Sequence, residues 1–186
     1  PHPDRVDQLL ETICKESPIP VSVKVRLGVS ESSELMKLIP VLNRYPLSEV
    51  IIHPRTAEQM YDGKVDLGAF ALANQELTLP VCYNGDIADL AFFQMLTKCF
   101  PALEKFMLGR GLLANPFLCE VIKSGNPVTD NAIERLRTFH DEVFANYQTV
   151  IDGDVPMLGK MKEFWAYPAT HLSNGRKFFK KVKKAH

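Results

Sequence analysis

Phe106-Met-Leu108 followed by Gly109-Arg110-Gly111-Leu-Leu-Ala-Asn115-Pro116 reads as a short buried strand that opens through glycines onto a helical pattern. Such a junction leaves backbone N–H groups unpaired beside the Arg110 guanidinium, an arrangement suited to a phosphate. Gly109-Arg110 alone is common wherever a barrel binds any phosphate.

Three more strands stand upstream. Val21 to Leu27 alternates, putting Lys24 and Arg26 on one face, and Gly28 closes it. Glu49 to Ile52 ends at His53-Pro-Arg55-Thr56, whose residues are expected in a loop, and Leu79 to Tyr83 ends at Asn84-Gly85-Asp86. Helical spacing falls between them: Val6 to Ile13, Ser32 to Asn43 with Ser32 or Ser33 as cap, Asp66 to Asn74, and Ile87 to Cys99 with Asp86 as cap. Strands recurring roughly every thirty residues with a helix between them have the period of βαβ units. Polar residues collect at the strands' carboxyl ends, as catalytic groups do in a (β/α)₈ barrel. Four such strands cannot close a barrel, so the expected architecture is α/β, half of a barrel over residues 1–125, belonging to a longer protein or covered by a second copy through its open edges.

Residues 126–186 read as an all-helical bundle: Pro127-Val-Thr129-Asp130 caps a helix to about Val150, Asp152-Gly-Asp154 breaks it, and two helices follow from Met157 and Arg176. The last carries Arg176, Lys177, Lys180, Lys181, Lys183 and Lys184 without an acid, with Phe178, Phe179 and Val182 as its buried side.

At 46% hydrophobic and zero formal charge, the 186 residues have a globular composition, and net charge indicates no anionic partner. No apolar run approaches the roughly 20 residues of a membrane span. Cys14, Cys82, Cys99 and Cys119 lack metal spacing; Cys82 and Cys99 lie in apolar surroundings, and buried, reduced thiols of a cytoplasmic protein are expected. Lys24 is expected to point into a site. His53 alone would be an ordinary core or loop histidine, and Asn84-Gly85-Asp86 alone an ordinary turn.

Together, Val23-Lys24-Val-Arg26-Leu-Gly28, Ile52-His53-Pro-Arg55-Thr56-Ala-Glu-Gln59-Met60-Tyr61, Leu79-Pro80-Val-Cys-Tyr-Asn84-Gly85-Asp86-Ile87 and Met107-Leu-Gly109-Arg110-Gly111-Leu-Leu-Ala-Asn115-Pro116 closely resemble the tRNA-dihydrouridine synthases. Met161-Lys-Glu-Phe-Trp165 and the lysine-rich end resemble that family's C-terminal helical domain. The resemblance implies FMN, reduced by NADPH, that saturates the C5–C6 bond of uridines in tRNA. It implies that Lys24 and His53 contact the flavin, that Asn84, Gly85 and Asp86 lie under its ribityl and phosphate end, and that Gly109 and Arg110 grip the phosphate, all on one rim. Arg55 is expected to line the substrate side, and Lys177, Lys180, Lys181 and Lys184 to meet tRNA phosphates. The family's catalytic cysteine would stand in an Asn-x-Gly-Cys-Pro segment before Pro1, so no catalytic residue is expected in this chain, which alone is expected to be inactive, to bind flavin weakly or not at all, and to self-associate. Two other readings are a different FMN barrel oxidoreductase of the dihydroorotate dehydrogenase kind, which would not need the basic tail, and a non-catalytic RNA-binding module on a decayed barrel.

Overall fold

The computed structural model describes residues 2–126 and 131–185. The expected cap at Pro127 to Asp130 lies outside the described residues. The chain divides into two units, one running through Asp86 and including Thr97–Leu108, the other made of Ile87–Leu96 and the chain from Gly109 onward.

The first unit is built on a parallel sheet in the order β1 (Ser22–Gly28), β2 (Glu49–Thr56), β3 (Val81–Asn84), β4 (Lys105–Met107). The register pairs Lys24 with Ile51, Ile51 with Cys82 and Cys82 with Lys105, so these four share one face. Two residues on, Arg26, His53, Asn84 and Met107 share that same face by alternation. The opposite face carries Val23, Val25, Leu27, Val50, Ile52, Tyr83 and Phe106, and helix α3 (Leu67–Glu76) packs against β2 on the strength of such side chains. Phe70 of α3 meets the rings of Tyr83 and Phe100 edge-on, each at 5.0 Å between centroids, contacts worth about 0.5–1.5 kcal/mol apiece beyond their burial. The sheet is thus apolar on one side, and the other, its polar face, carries Lys24, Arg26, His53, Asn84 and Lys105 beside Ile51, Cys82 and Met107. Its two outer strands among the described residues are β1 and β4.

Helix α1 (Pro3–Glu16) precedes the sheet. Between β1 and β2 the expected single helix is replaced by a 3₁₀ segment, Glu34–Lys37, and one turn of α-helix, α2 (Ile39–Leu42). Pro40 explains the break: it cannot donate to a carbonyl one turn back, and it sits in the first turn, where no donor is needed. Ser33 makes no capping bond; Glu34 instead folds back to accept from the amides of Ser30 and Glu31 at 3.0 and 2.8 Å. Asp66 caps α3, accepting from Ala69 N. Helix α4 (Leu90–Cys99) is capped by Asp89, which accepts from Phe92 N, and not by Asp86. Cys82 is buried, but Cys99, the last residue of α4, is exposed, as is Cys119; none of the four cysteines is in a disulfide.

The second unit is helical from Gly109 onward: α5 (Arg110–Ala114), α6 (Leu118–Ser124), α7 (Ala132–Gln148), α8 (Asp154–Ala166), a 3₁₀ turn at Pro168–Thr170 and α9 (Gly175–Lys183). Gly153, at φ 90°, separates α7 from α8 as its sequence suggests. Trp165 meets Phe178 edge-on at 4.9 Å, and Phe178, Phe179 and Val182 are the partly covered side of α9. Among the described residues no helix is long and apolar enough to cross a membrane.

Candidate functional site

Lys24, His53 and Asn84 lie on three adjacent strands and on the polar face of the sheet. Their shared orientation follows from the register of three consecutive strands. Lys24 is exposed, yet partial burial first, then the like charge of Arg26, lowers the pKa of its ammonium against an opposing pull from Cys82. His53 is buried, and its pKa is pushed down to about 4, first by that burial and then by Arg26, Lys24 and Arg55, with Asp86 opposing. The imidazole is therefore neutral at pH 7 and presents one donor and one acceptor. Asn84 turns its amide sideways, Nδ2 donating to Met107 O at 2.8 Å.

Strand β2 does not stop at Ile52. It continues through Thr56, and all of His53-Pro-Arg-Thr56 is buried rather than in a loop. Arg26 pairs with His53 but Gly28 pairs with Thr56, so Pro54 and Arg55 together oppose Leu27: a β-bulge. Pro54 lies in the bulge, a place where a strand tolerates a residue without an N–H. The extra residue returns Thr56 to the Lys24 row and leaves Arg55 facing the apolar side.

Arg55 is accordingly placed differently from the expectation that it lines the substrate side. It is 1% exposed, its Nη1 and Nη2 donate to the two Asp86 carboxylate oxygens at 3.0 and 2.6 Å, and Nη2 also donates to Gly63 O at 2.6 Å. Asp86 holds φ 50°, an uncommon value for a residue with a side chain. Gly85 is needed for a close approach, but to its own chain: a Cβ there would lie 3.1 Å from Val65 and 3.3 Å from both His53 and Pro54.

Two residues that carried no role in the sequence reading flank His53. Arg26 donates to Thr56 O at 2.7 Å and Met60 O at 3.0 Å, and its guanidinium carbon stands 5.6 Å from the centre of the Tyr61 ring. That ring lies 6.3 Å from the His53 ring. The signal for Arg26 was the alternation that put it on the Lys24 face; for Tyr61 it was only the quoted motif.

Gly109 and Arg110 belong to the second unit, at the start of α5, and both are exposed. A Cβ on Gly109 would meet nothing within 4 Å, whereas one on Gly111 would fall 2.1 Å from Ile87 O. The second glycine is thus fixed by packing and the first is not. Lys177, Lys180, Lys181 and Lys184 are exposed on α9 and at its end.

Such a face can hold a flat, electron-rich ring against cations and a neutral imidazole, with the Asn84 to Asp86 turn at its margin. The chain is 27% identical to tRNA-dihydrouridine synthase B of Pasteurella multocida over 66% of its own length and 37% of that protein. It is 34% identical to the tRNA-dihydrouridine(16) synthase of Escherichia coli over 59% of its length and 35% of the relative, and 30% identical to a probable tRNA-dihydrouridine synthase of Rickettsia bellii over 78% and 45%. The chain thus matches 35 to 45% of the length of these three curated relatives. The model of the family described as Dihydrouridine synthase (Dus) matches residues 1–183, nearly the whole sequence, and the chain belongs to the dihydrouridine synthase family.

Proposed function

We propose that this chain supplies part of the flavin site and the tRNA-binding helices of an FMN-dependent tRNA-dihydrouridine synthase, with NADPH as reductant and tRNA in the cytoplasm as substrate. Residues 1–125 are read as the second half of a (β/α)₈ barrel and residues 126–186 as the helical tRNA-binding domain. The observation that carries the reading is the common orientation of Lys24, His53 and Asn84 on the polar face of the sheet.

The residues present fit the cofactor. Lys24 and Arg26 give that face cationic character, which favours an electron-rich isoalloxazine, and the neutral His53 can accept or donate a hydrogen bond without adding charge. FMN would supply the hydride that reduces the C5–C6 bond of uridine. Lys24 and His53 would contact the ring, Asn84, Gly85 and Asp86 the ribityl and phosphate end, and Gly109 and Arg110 the phosphate. Lys177, Lys180, Lys181 and Lys184 would bind tRNA backbone phosphates, giving sequence-blind affinity, while the target uridine leaves its stack. None of the four cysteines stands in the family's cysteine motif, so the chain as given is read as supplying no proton donor for C5 and as inactive by itself. The outer strands β1 and β4, each paired on one side only among the described residues, support self-association of the chain, which sedimentation at rising concentration tests.

Titration with FMN followed by flavin fluorescence tests the cofactor reading. Saturable quenching that Lys24→Ala weakens supports it; saturable quenching that Lys24→Ala leaves unchanged contradicts it.

A further inference from the structure

Arg55 is a buried cation that the proposed chemistry does not use. It joins two segments that follow different strands. On one side its fork holds both oxygens of Asp86, past the end of β3; on the other its Nη2 holds Gly63 O in the loop after β2. The same two segments touch at a second place, where Gly85 packs under Val65, His53 and Pro54 so tightly that a Cβ has no room without displacement. The loop is closed on itself by Asp66 N donating to Pro54 O at 2.8 Å and by Gln59 Nε2 donating to Asp62 O and Lys64 O. We propose that Arg55 is a positioning residue that locks the 57–66 loop and the Asn84-Gly85-Asp86 turn into one rigid rim, so that whatever orders the turn also orders the loop.

The functional meaning rests on the flavin reading above: the turn would lie on the cofactor side and the loop, with Gln59 and Tyr61, on the side open to substrate, so that cofactor occupancy would pre-set the loop. A planar fork is required for this, because a lysine ammonium cannot hold two carboxylate oxygens and a carbonyl in one plane.

The test is a two-by-two cycle of Arg55→Lys and Asp86→Asn in the 186-residue chain, read by amide hydrogen exchange and by ¹⁵N shifts at Gly63 to Asp66 and at Gly85 and Asp86. Asp86→Asn keeps the shape of the side chain and guards against loss of fold in the lysine variant. The expected result is that Asp86→Asn alone speeds exchange at the Asp66 amide by about tenfold or more and moves the Gly63 to Val65 signals. The double variant should add little to either single one. Shifts confined to residues 84–88 in Asp86→Asn, or effects of the two substitutions that simply add, would overturn the inference. Repeating the cycle with FMN separates the two ideas: coupling between loop and turn with FMN shifts only away from Lys24, His53 and the turn retains the rim and refutes the flavin reading, while FMN shifts at the turn with an unaltered loop do the reverse.

Discussion

Arg55 and Asp86 stand 31 residues apart in sequence, and the guanidinium of one, 2% exposed, faces both carboxylate oxygens of the other. Breaking such a pair from one side leaves a charge without its partner. Arg55→Met leaves an Asp86 that water still reaches and is expected to cost about 3 kcal/mol, and Asp86→Asn, which leaves the buried guanidinium uncompensated and turns an amide N–H toward it, no less. Urea unfolding monitored by circular dichroism checks the order. An Arg55→Met protein as stable as the parent would show that the pair does not hold the fold.

Glu34 accepts from the amides of Glu31 and Ser30, and these bonds hold its pKa at about 2 against an ordinary 4.5. The folded state prefers the carboxylate, so the stabilisation is fully present above pH 4.5 and is lost as pH falls toward 2. Glu34→Gln should flatten the acid limb of a stability–pH curve between those values while leaving its slope near neutrality unchanged.

His53 acts with the same sign over a higher pH range. Its folded pKa of about 4, set first by burial, lies below the ordinary 6.5, so the unfolded chain takes up a proton that the folded chain rejects. Stability should be unaffected by this group above pH 6.5 and should fall as pH drops from 6.5 toward 4. Imidazole proton shifts give the pKa directly, and His53→Gln should remove that part of the slope.

Gly109 and Gly111 separate two roles in one short motif. Gly111→Ala would drive a methyl group into the Ile87 carbonyl, 2.1 Å away, and near Leu118 at 2.9 Å, and is expected to cost about 3 kcal/mol or more. Gly109→Ala meets no atom within 4 Å and should change stability by about 1 kcal/mol or less. Thermal unfolding of the two variants side by side decides the matter.

On the proposed reading, Lys177, Lys180, Lys181 and Lys184 bind phosphates and not bases. Each alanine substitution should weaken tRNA binding about equally for different tRNAs and reduce the slope of log affinity against log salt by about 1. Unchanged slopes would make the lysines a solvated face of α9.

The order of strands was legible because the apolar runs are short, bounded by glycine and proline, and separated by helical spacing. The orientation of Lys24 and Arg26 followed from simple alternation. The place of Arg55 was not legible, because a single inserted residue reverses every side chain after it, and the only trace of that insertion is Pro54, which marks a bulge as readily as a strand end. Asp86 looked like a helix cap because it precedes a helical pattern; its true partner is an arginine on another strand, and long-range ion pairs leave no local pattern. The helix expected from Ser32 to Asn43 breaks at Pro40, whose ring and missing N–H end a helix that would run through it. Cys99 lies among apolar neighbours in sequence, but the last residue of an amphipathic helix can still face solvent.

The most direct measurement is ¹⁵N–¹H shift mapping of the chain during titration with FMN to millimolar concentration. The account predicts saturable shifts grouped at Lys24, His53 and the Asn84 to Asp86 turn, the polar face of the sheet. Saturable shifts grouped instead on the α3-covered face would contradict it.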